Sequence, residues 1–272
     1  MKDTKPAAPI RALLASLIDY AGLFPPAALP MKQAIEKFTE YRAGENSWAL
    51  GRFVVPARRL AALPAEFPAS VLVDDLSSIP DADTLEIKAG STEEIEHIAN
   101  AGADRTIYVE VADVSLLDTI GANGLRAKIR TGGVTPAAFP SAENVARFVA
   151  ACMARSIAFK ATAGLHHPLR CVRPLTYEPY AERGTMHGFL NVFLAAALAA
   201  DREEEASTLL ATMVELLNDD DPRSFTLTDD AISWRGRRIT TQQIVESRNY
   251  ATSFGSCSFE EPIADLKELH WL

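Results

Sequence analysis

The sequence predicts a single-domain (β/α)8 barrel on three observations. From Trp48 to Gly164, six short β-branched runs alternate with helical patterns in units of about 20 to 35 residues, the rhythm of a parallel sheet covered by helices. One run upstream and one downstream raise the count to eight, the number that closes a barrel in a chain of this length. No Gly-rich dinucleotide fingerprint follows any of these runs, which disfavours an open Rossmann sheet.

The elements follow in order. "SLIDYAG" reads as strand one, followed by a helix over Met31–Tyr41. "RFVVPA" gives strand two, "RRLAALPAEF" a helical pattern, "SVLVDDL" strand three and, after a short acidic connection, "TLEIKAG" strand four. In "STEEIEHIANAG", Ser91 and Glu94 form a capping box, and Ile95, Ile98, Ala99 and Gly102 share one face; His97 sits off that face, in solvent. "RTIYVEVA" is strand five, "DVSLLDTIGANG" a helix, "LRAKIRTGG" strand six, "SAENVARFVAACMAR" a helix and "IAFKATAG" strand seven. The last helix buries Val145, Phe148, Val149, Cys152 and Met153. "SFTLTDDAISW", ahead of a capped helix from Thr240, is expected to supply strand eight, although Asp229-Asp230 and Gly236 also suit a hairpin.

Composition narrows the function classes. The 272 residues are 48% hydrophobic and 23% charged, with a formal net charge of −9, so the chain has no global attraction for nucleic acid or an anionic membrane. The three cysteines, Cys152, Cys171 and Cys257, lack C-x-x-C spacing and fit reduced thiols in a cytoplasmic protein. No export signal is read at the N-terminus, where Asp19 interrupts a short apolar run. "GFLNVFLAAALAA" is far shorter than the ~20 residues of a membrane span and reads as a buried helix. The acidic "DREEEAS" and "NDDD" bracket a helix with Leu209, Leu210, Met213, Leu216 and Leu217 on its apolar side, and read as its solvated ends.

Strand parity then locates the chemistry. With Leu85, Ile87, Ile107, Val109, Val111, Ala127, Ile129, Ile157 and Phe159 facing the helices, Glu86, Lys88, Tyr108, Glu110, Lys128, Arg130, Lys160 and Thr162 face the lumen. Arg52 and Asp74 join them by the same alternation. Charges aimed into a packed interior need compensation, so the lumen is expected to hold an ionic network, either a purely structural web or an active site. A lysine desolvated among other cations is expected to have a lowered pKa, which frees its amine to attack a carbonyl and form a Schiff base.

The lysines of "AKIRTGG" and "FKATAG", on successive strands, resemble the late strands of class I aldolases of the deoxyribose-phosphate aldolase type. The resemblance covers about 40 residues of 272. It implies that Lys128 forms the imine and Lys160 tunes it. The chain departs from that family in Arg130, close behind Lys128, and in the His166–His167 pair. The identity of the nucleophile therefore stays open between the two lysines, with Lys160 favoured for its less crowded strand.

Other residues are candidates for the same chemistry. Arg130, Thr131, Gly132 and Gly133 offer a guanidinium, a hydroxyl and backbone N–H groups to a phosphate or carboxylate, or simply make a tight turn. His166, His167, His187 and Arg170 can bind an anion or move protons, or sit as hydrogen-bonded loop residues; Glu110 is the best carboxylate for proton transfer. "IDYAGLFPPAALP" and "FGSCSFEEP" are expected to meet at the barrel mouth, with Asp19 and Tyr20 in reach of substrate and Phe24 and Phe254 exposed. Cys257 is a weaker candidate nucleophile, because the sequence places no histidine beside it.

The reading is a lysine-dependent, aldolase-like lyase acting on a small anionic carbonyl compound without a cofactor. It has no nucleic-acid or membrane partner and leaves room for a homo-oligomer. A divalent-metal enzyme using Glu110, the three histidines and Asp74 is the second reading. A catalytically silent anion-binding barrel is the third.

Overall fold

The computed structural model describes residues 6–102, 104–200 and 205–272. Eight parallel strands close into a barrel in the order β1 (Ile18–Tyr20), β2 (Leu50–Pro56), β3 (Ala69–Val73), β4 (Thr84–Lys88), β5 (Thr106–Glu110), β6 (Arg126–Arg130), β7 (Phe159–Thr162) and β13 (Ala251–Ser256), which returns to β1. The barrel is thus a (β/α)8 barrel of the TIM type, as predicted.

The first seven strands are those read from the sequence. The eighth is not. "SFTLTDDAISW" forms β10 (Phe225–Leu227) and β11 (Ala231–Trp234), which with β12 (Arg237–Thr240) make a separate antiparallel sheet outside the barrel. The hairpin signals at Asp229-Asp230 and Gly236 prevailed, and the closing strand is the small-residue run "ATSFGS". A second excursion, β8 (Cys171–Pro174) with β9 (Arg183–Met186), rises from the loop after β7.

Helix α1 (Ala8–Leu14) precedes β1, and α2 (Met31–Ala43) follows it. A 3-10 helix, Ala57–Ala62, lies between β2 and β3, where the sequence suggested a full helix, and β3 passes to β4 through a loop. Helices α3 (Thr92–Ala101), α4 (Leu117–Ala122) and α5 (Ala142–Ala154) separate β4 to β7. Helices α6 (Phe189–Ala200), α7 (Ala206–Asn218) and α8 (Thr241–Ser247) fill the long path to β13, and α9 (Glu260–Glu268) ends the chain. Ser91 caps α3 by accepting from the Glu94 N–H, and Thr240 with Gln243 forms the full capping box of α8.

The outward faces of the strands and the apolar stripes of the helices form one continuous core. Ile95 and Ile98 of α3 and Val145, Phe148, Val149 and Cys152 of α5 lie buried against Ile107, Val109, Ile129 and Phe159. Burying each such side chain contributes about 1.5–3 kcal/mol. Helix α6 is buried almost throughout, as its composition requires, and among the described residues no helix is long and apolar enough to cross a membrane.

Several expectations for the flanks change. Tyr20 faces away from the lumen into an aromatic cluster with Phe38, Tyr41 and Phe53, because Asp19 takes the inward position on β1. Phe254 is fully buried, stacked on Phe189 at 5.1 Å, and Phe24 is half-buried. Asp219 of the acidic "NDDD" is 4% exposed and accepts from Trp234 Nε1 at 2.9 Å and Arg235 Nε at 2.8 Å, fastening the outer sheet to the end of α7. The other predicted acidic end falls partly on residues 201–204, outside the described residues. His97 is exposed, as read.

Candidate active site

The lumen is bound together by five ionic side chains from five strands. Lys160 Nζ donates to Asp19 Oδ2 at 2.7 Å and to Glu86 Oε1 at 2.6 Å. Lys128 Nζ contacts the other Glu86 oxygen at 2.8 Å and Glu110 Oε2 at 3.0 Å. Glu86 therefore bridges the two ammonium groups, and the Ser70 hydroxyl donates to it at 2.6 Å. Asp19 is held in turn by the Arg52 backbone N–H at 2.7 Å and the Ser253 hydroxyl at 2.8 Å.

Register explains the convergence. Lys128 pairs with Lys160 across β6 and β7, Glu110 with Lys128 across β5 and β6, and Lys160 with Ser253 across β7 and β13. The register of β13 shifts between Ala251 and Ser253, which lets the adjacent residues Thr252 and Ser253 both reach lumen groups. Below the network, Tyr108 Oη meets Thr252 Oγ1 at 2.9 Å and accepts from Arg126 at 3.1 Å, closing the floor. Gly51 permits the approach of β2 to β1, since a Cβ there would stand 2.3 Å from Asp19 Oδ1.

The electrostatics reverse one expectation. Burial by itself would strip the charge from Lys160, but Asp19 and Glu86 outweigh it and raise its pKa above the ordinary lysine value. The sequence pattern counted neighbouring cations; the fold puts two carboxylates between them. Burial likewise opposes the Glu86 charge, yet Lys128 and Lys160 together hold its carboxyl far below the usual range.

Above the network the mouth opens into two adjoining clefts. One, of about 660 Å³, is lined by Lys88, Glu110, Arg130, Asn144, Arg147 and Phe139 among others. The second, of about 480 Å³, shares Lys88, Glu110 and Arg130 and reaches down to Glu86 and Lys128. Lys160 borders neither cleft. Lys88 and Arg130 are exposed and make no ion pair among the described residues. Arg147, bonded to Asn144 Oδ1 at 3.4 Å, is a rim cation that sequence reading missed. Its place on the exposed side of α5, the helix following β6, was the available signal.

Other predicted residues lie elsewhere. Thr131 is buried and its hydroxyl donates to the carbonyls of Ala163 at 2.6 Å and Thr162 at 3.1 Å, joining two loops instead of facing a ligand. Gly132 packs against Gly164, where a Cβ would come within 2.9 Å of the Gly164 Cα. Thr131, Gly132, Gly133 and Thr162 line neither cleft. Arg52, in the first half of β2, and Asp74, just past β3, are exposed to solvent; Asp74 borders the smaller cleft and pairs with Arg58 at 3.5 Å.

The histidines separate. His167 Nδ1 bonds Asp265 at 2.6 Å, tying the loop after β7 to α9. His187 Nε2 bonds the Pro140 carbonyl at 2.8 Å, and burial lowers its pKa. His166 pairs with Glu261 at 3.3 Å, and Arg170 reaches Asp220 at 3.9 Å. The ligand set of the metal-dependent reading is therefore not assembled, and among the described residues no group of three or more His, Cys, Asp or Glu side chains could hold a metal ion. Arg170 and Arg130 do not form a joint clamp: Arg170 lines a separate small depression with His167 and Asp265.

Comparison with protein-family models gives no match, and no curated protein aligns significantly with the chain. What stands is the fold, a (β/α)8 barrel that carries a buried ionic network beneath a cation-rimmed mouth.

Proposed function

We propose that the chain is an enzyme of the lyase type, acting on a small anionic carbonyl compound through an imine formed on Lys128. One observation carries this reading. The Lys128 amine sits between Glu86 and Glu110 at the base of a cleft whose rim holds two cations without ion-pair partners among the described residues, Lys88 and Arg130. On a chain of net charge −9, a local cationic rim selects anions by focusing the field at the mouth.

The chemistry follows from the positions. Glu110 takes one proton from the Lys128 ammonium, and the freed amine attacks the substrate carbonyl carbon. One N–H proton of the adduct passes to the alkoxide oxygen to give the carbinolamine, and Glu110 returns its proton to that hydroxyl, which leaves as water when the nitrogen lone pair forms the C=N bond. The resulting iminium withdraws electrons from the adjacent carbon, so a neighbouring C–C bond can break or form. Lys88, Arg130 and Arg147 hold the anionic group, a phosphate or a carboxylate.

The preference for Lys128 over Lys160 rests on access. Lys160 is 1% exposed, holds two carboxylates and borders neither cleft, so it is a positioning residue that fixes Glu86. The likeness of the two late strands to class I aldolases supports the same assignment. Borohydride reduction in the presence of a pool of small phosphorylated and carboxylated aldehydes and ketones tests the reading. It calls for a stable adduct in the wild type that is absent from Lys128→Met. Anion binding without any adduct would instead favour a catalytically silent barrel.

A further inference from the structure

Cys257 follows directly on β13, and the fold supplies the histidine that the sequence did not. His166, from the loop after β7, is buried, and its Nδ1 lies 3.8 Å from Cys257 Sγ. The same nitrogen is 3.3 Å from Glu261 Oε2, in the first turn of α9, and 3.4 Å from Ser256 Oγ. Tyr177, on the excursion between β8 and β9, completes the group: its Oη is 3.7 Å from Cys257 Sγ and donates to Glu261 Oε1 at 3.0 Å. Cys257 is only 5% exposed beneath it, while Tyr177 itself is 60% exposed. None of these side chains joins the Lys128 network or borders its clefts.

The geometry selects among thiol chemistries. In a nucleophile–histidine–carboxylate relay, the nucleophile and the carboxylate take opposite ring nitrogens. Here both approach Nδ1, so the ring does not relay between them. A single N–H instead faces a carboxylate and a sulfur, an arrangement that favours the imidazolium. Burial pulls the His166 pKa down, but Cys257 and Glu261 together push it up to about 9. An imidazolium beside a sulfur is the setting that makes a cysteine nucleophilic. The other groups facing this cluster are the Tyr20 and Tyr41 phenols, whose pKa values burial raises with a contribution from Cys257, and His167, which is engaged with Asp265. Glu260 contributes to the same two phenols from α9.

We propose that Cys257 is a nucleophilic thiol site on the β7–β13 side of the mouth, taking small α,β-unsaturated carbonyl compounds by conjugate addition. As the sulfur attacks, the thiol proton passes to the His166–Glu261 pair. The sulfur attacks the β-carbon, a C–S bond forms, and the π pair of the C=C bond moves to the α-carbon and carbonyl. The resulting enolate then takes the His166 proton. The net change is addition of S–H across C=C, with no leaving group and no oxidant.

The test uses the full chain, limiting N-ethylmaleimide as the electrophile, and peptide mapping of the labelling rate of each cysteine from pH 5.5 to 9. The other two cysteines are internal standards. Cys152 is fully buried in α5, and burial raises its pKa; Cys171 is half-buried, and burial raises its pKa against the opposing Arg173. The expected result is that Cys257 labels about tenfold faster than Cys171 at pH 7 despite its burial, and that His166→Gln removes the advantage without changing the Cys171 rate. Unlabelled Cys152 reports that the variant is folded; if it becomes labelled, the wild-type ranking decides alone. Tyr177→Ala separates cover from reactivity by uncovering the sulfur. Cys257 slower than Cys171 in both wild type and Tyr177→Ala, or an unchanged ratio in a folded His166→Gln, would overturn the proposal.

Discussion

Replacing Lys160 by methionine removes the cation that Asp19 and Glu86 share while keeping most of the side-chain volume. The wild-type contacts, 2.7 Å to Asp19 and 2.6 Å to Glu86, join groups that are all 3% exposed or less. Breaking a buried pair from one side costs about 3–5 kcal/mol, because the partner charge is left uncompensated, and the volume match keeps the cavity contribution small. Against a total stability of about 5–15 kcal/mol, that is a large fraction. Urea unfolding of Lys160→Met and wild type at pH 7 and pH 5 reads it directly.

The pH comparison identifies the cause. The Glu86 pKa is lowered on folding, so its contribution to wild-type stability is present above the ordinary carboxyl value and is lost only as pH falls through its much lower folded value. Wild-type stability should therefore not fall on this account between pH 7 and 5. In the variant Glu86 keeps only Lys128, its folded pKa rises, and protonation relieves the stranded charge. Each unit by which the new folded pKa exceeds the assay pH narrows the gap by about 1.4 kcal/mol. A loss under about 1 kcal/mol at pH 7, or a gap that widens at pH 5, would show that Lys160 does not compensate the two carboxylates.

Three further outcomes follow from the same geometry. The His166 pKa is raised from 6.5 to about 9, so the stability it contributes is complete below pH 6.5 and is lost as pH rises through about 9. This amounts to about 3 kcal/mol at most; His166→Gln should flatten the fall in urea midpoint over that window, and an unaltered fall would assign it elsewhere. Gly51→Ala drives a Cβ to 2.3 Å from Asp19 Oδ1 and 3.2 Å from the Ser16 carbonyl, and should cost about 1–3 kcal/mol in thermal or urea unfolding. Arg130→Ala and Lys88→Ala should each weaken calorimetric binding of inorganic phosphate about tenfold or more; equal affinity in all three proteins would remove the rim from anion recognition.

Much of the barrel was legible because seven strands are short runs of mostly branched or aromatic apolar residues, alternating with charged ones on β4, β5 and β6, and most are followed by a helix pattern or acidic connection. The eighth was not, because β13 is built of Ala251, Thr252, Ser253, Gly255 and Ser256 around a lone Phe254, a run of mostly short side chains that fits a crowded lumen and a register shift but resembles a loop. The stronger β pattern nearby belongs to the outer sheet, where Trp234 and Ile232 are buried outside the barrel. At the site, parity alone brought Glu86, Glu110, Lys128 and Lys160 to one side. It could not show that Asp19 supplies a second carboxylate to Lys160, because that pairing depends on closure between β1 and β13. The adjacent histidines misled for a related reason: His166 and His167 diverge, one to Glu261 and the other to Asp265. No spacing within a loop encodes which way each ring turns.

A reactive Lys128 amine supported by a buried Lys160 has a direct chemical signature. Borohydride trapping with a reactive carbonyl compound, followed by peptide mapping of wild type, Lys128→Met and Lys160→Met, reads it. The expected result is an adduct on Lys128 in the wild type, none in Lys128→Met, and a Lys128 adduct with altered pH dependence in Lys160→Met. An adduct on Lys160 in the wild type, or labelling that persists in Lys128→Met at the same rate, would contradict it.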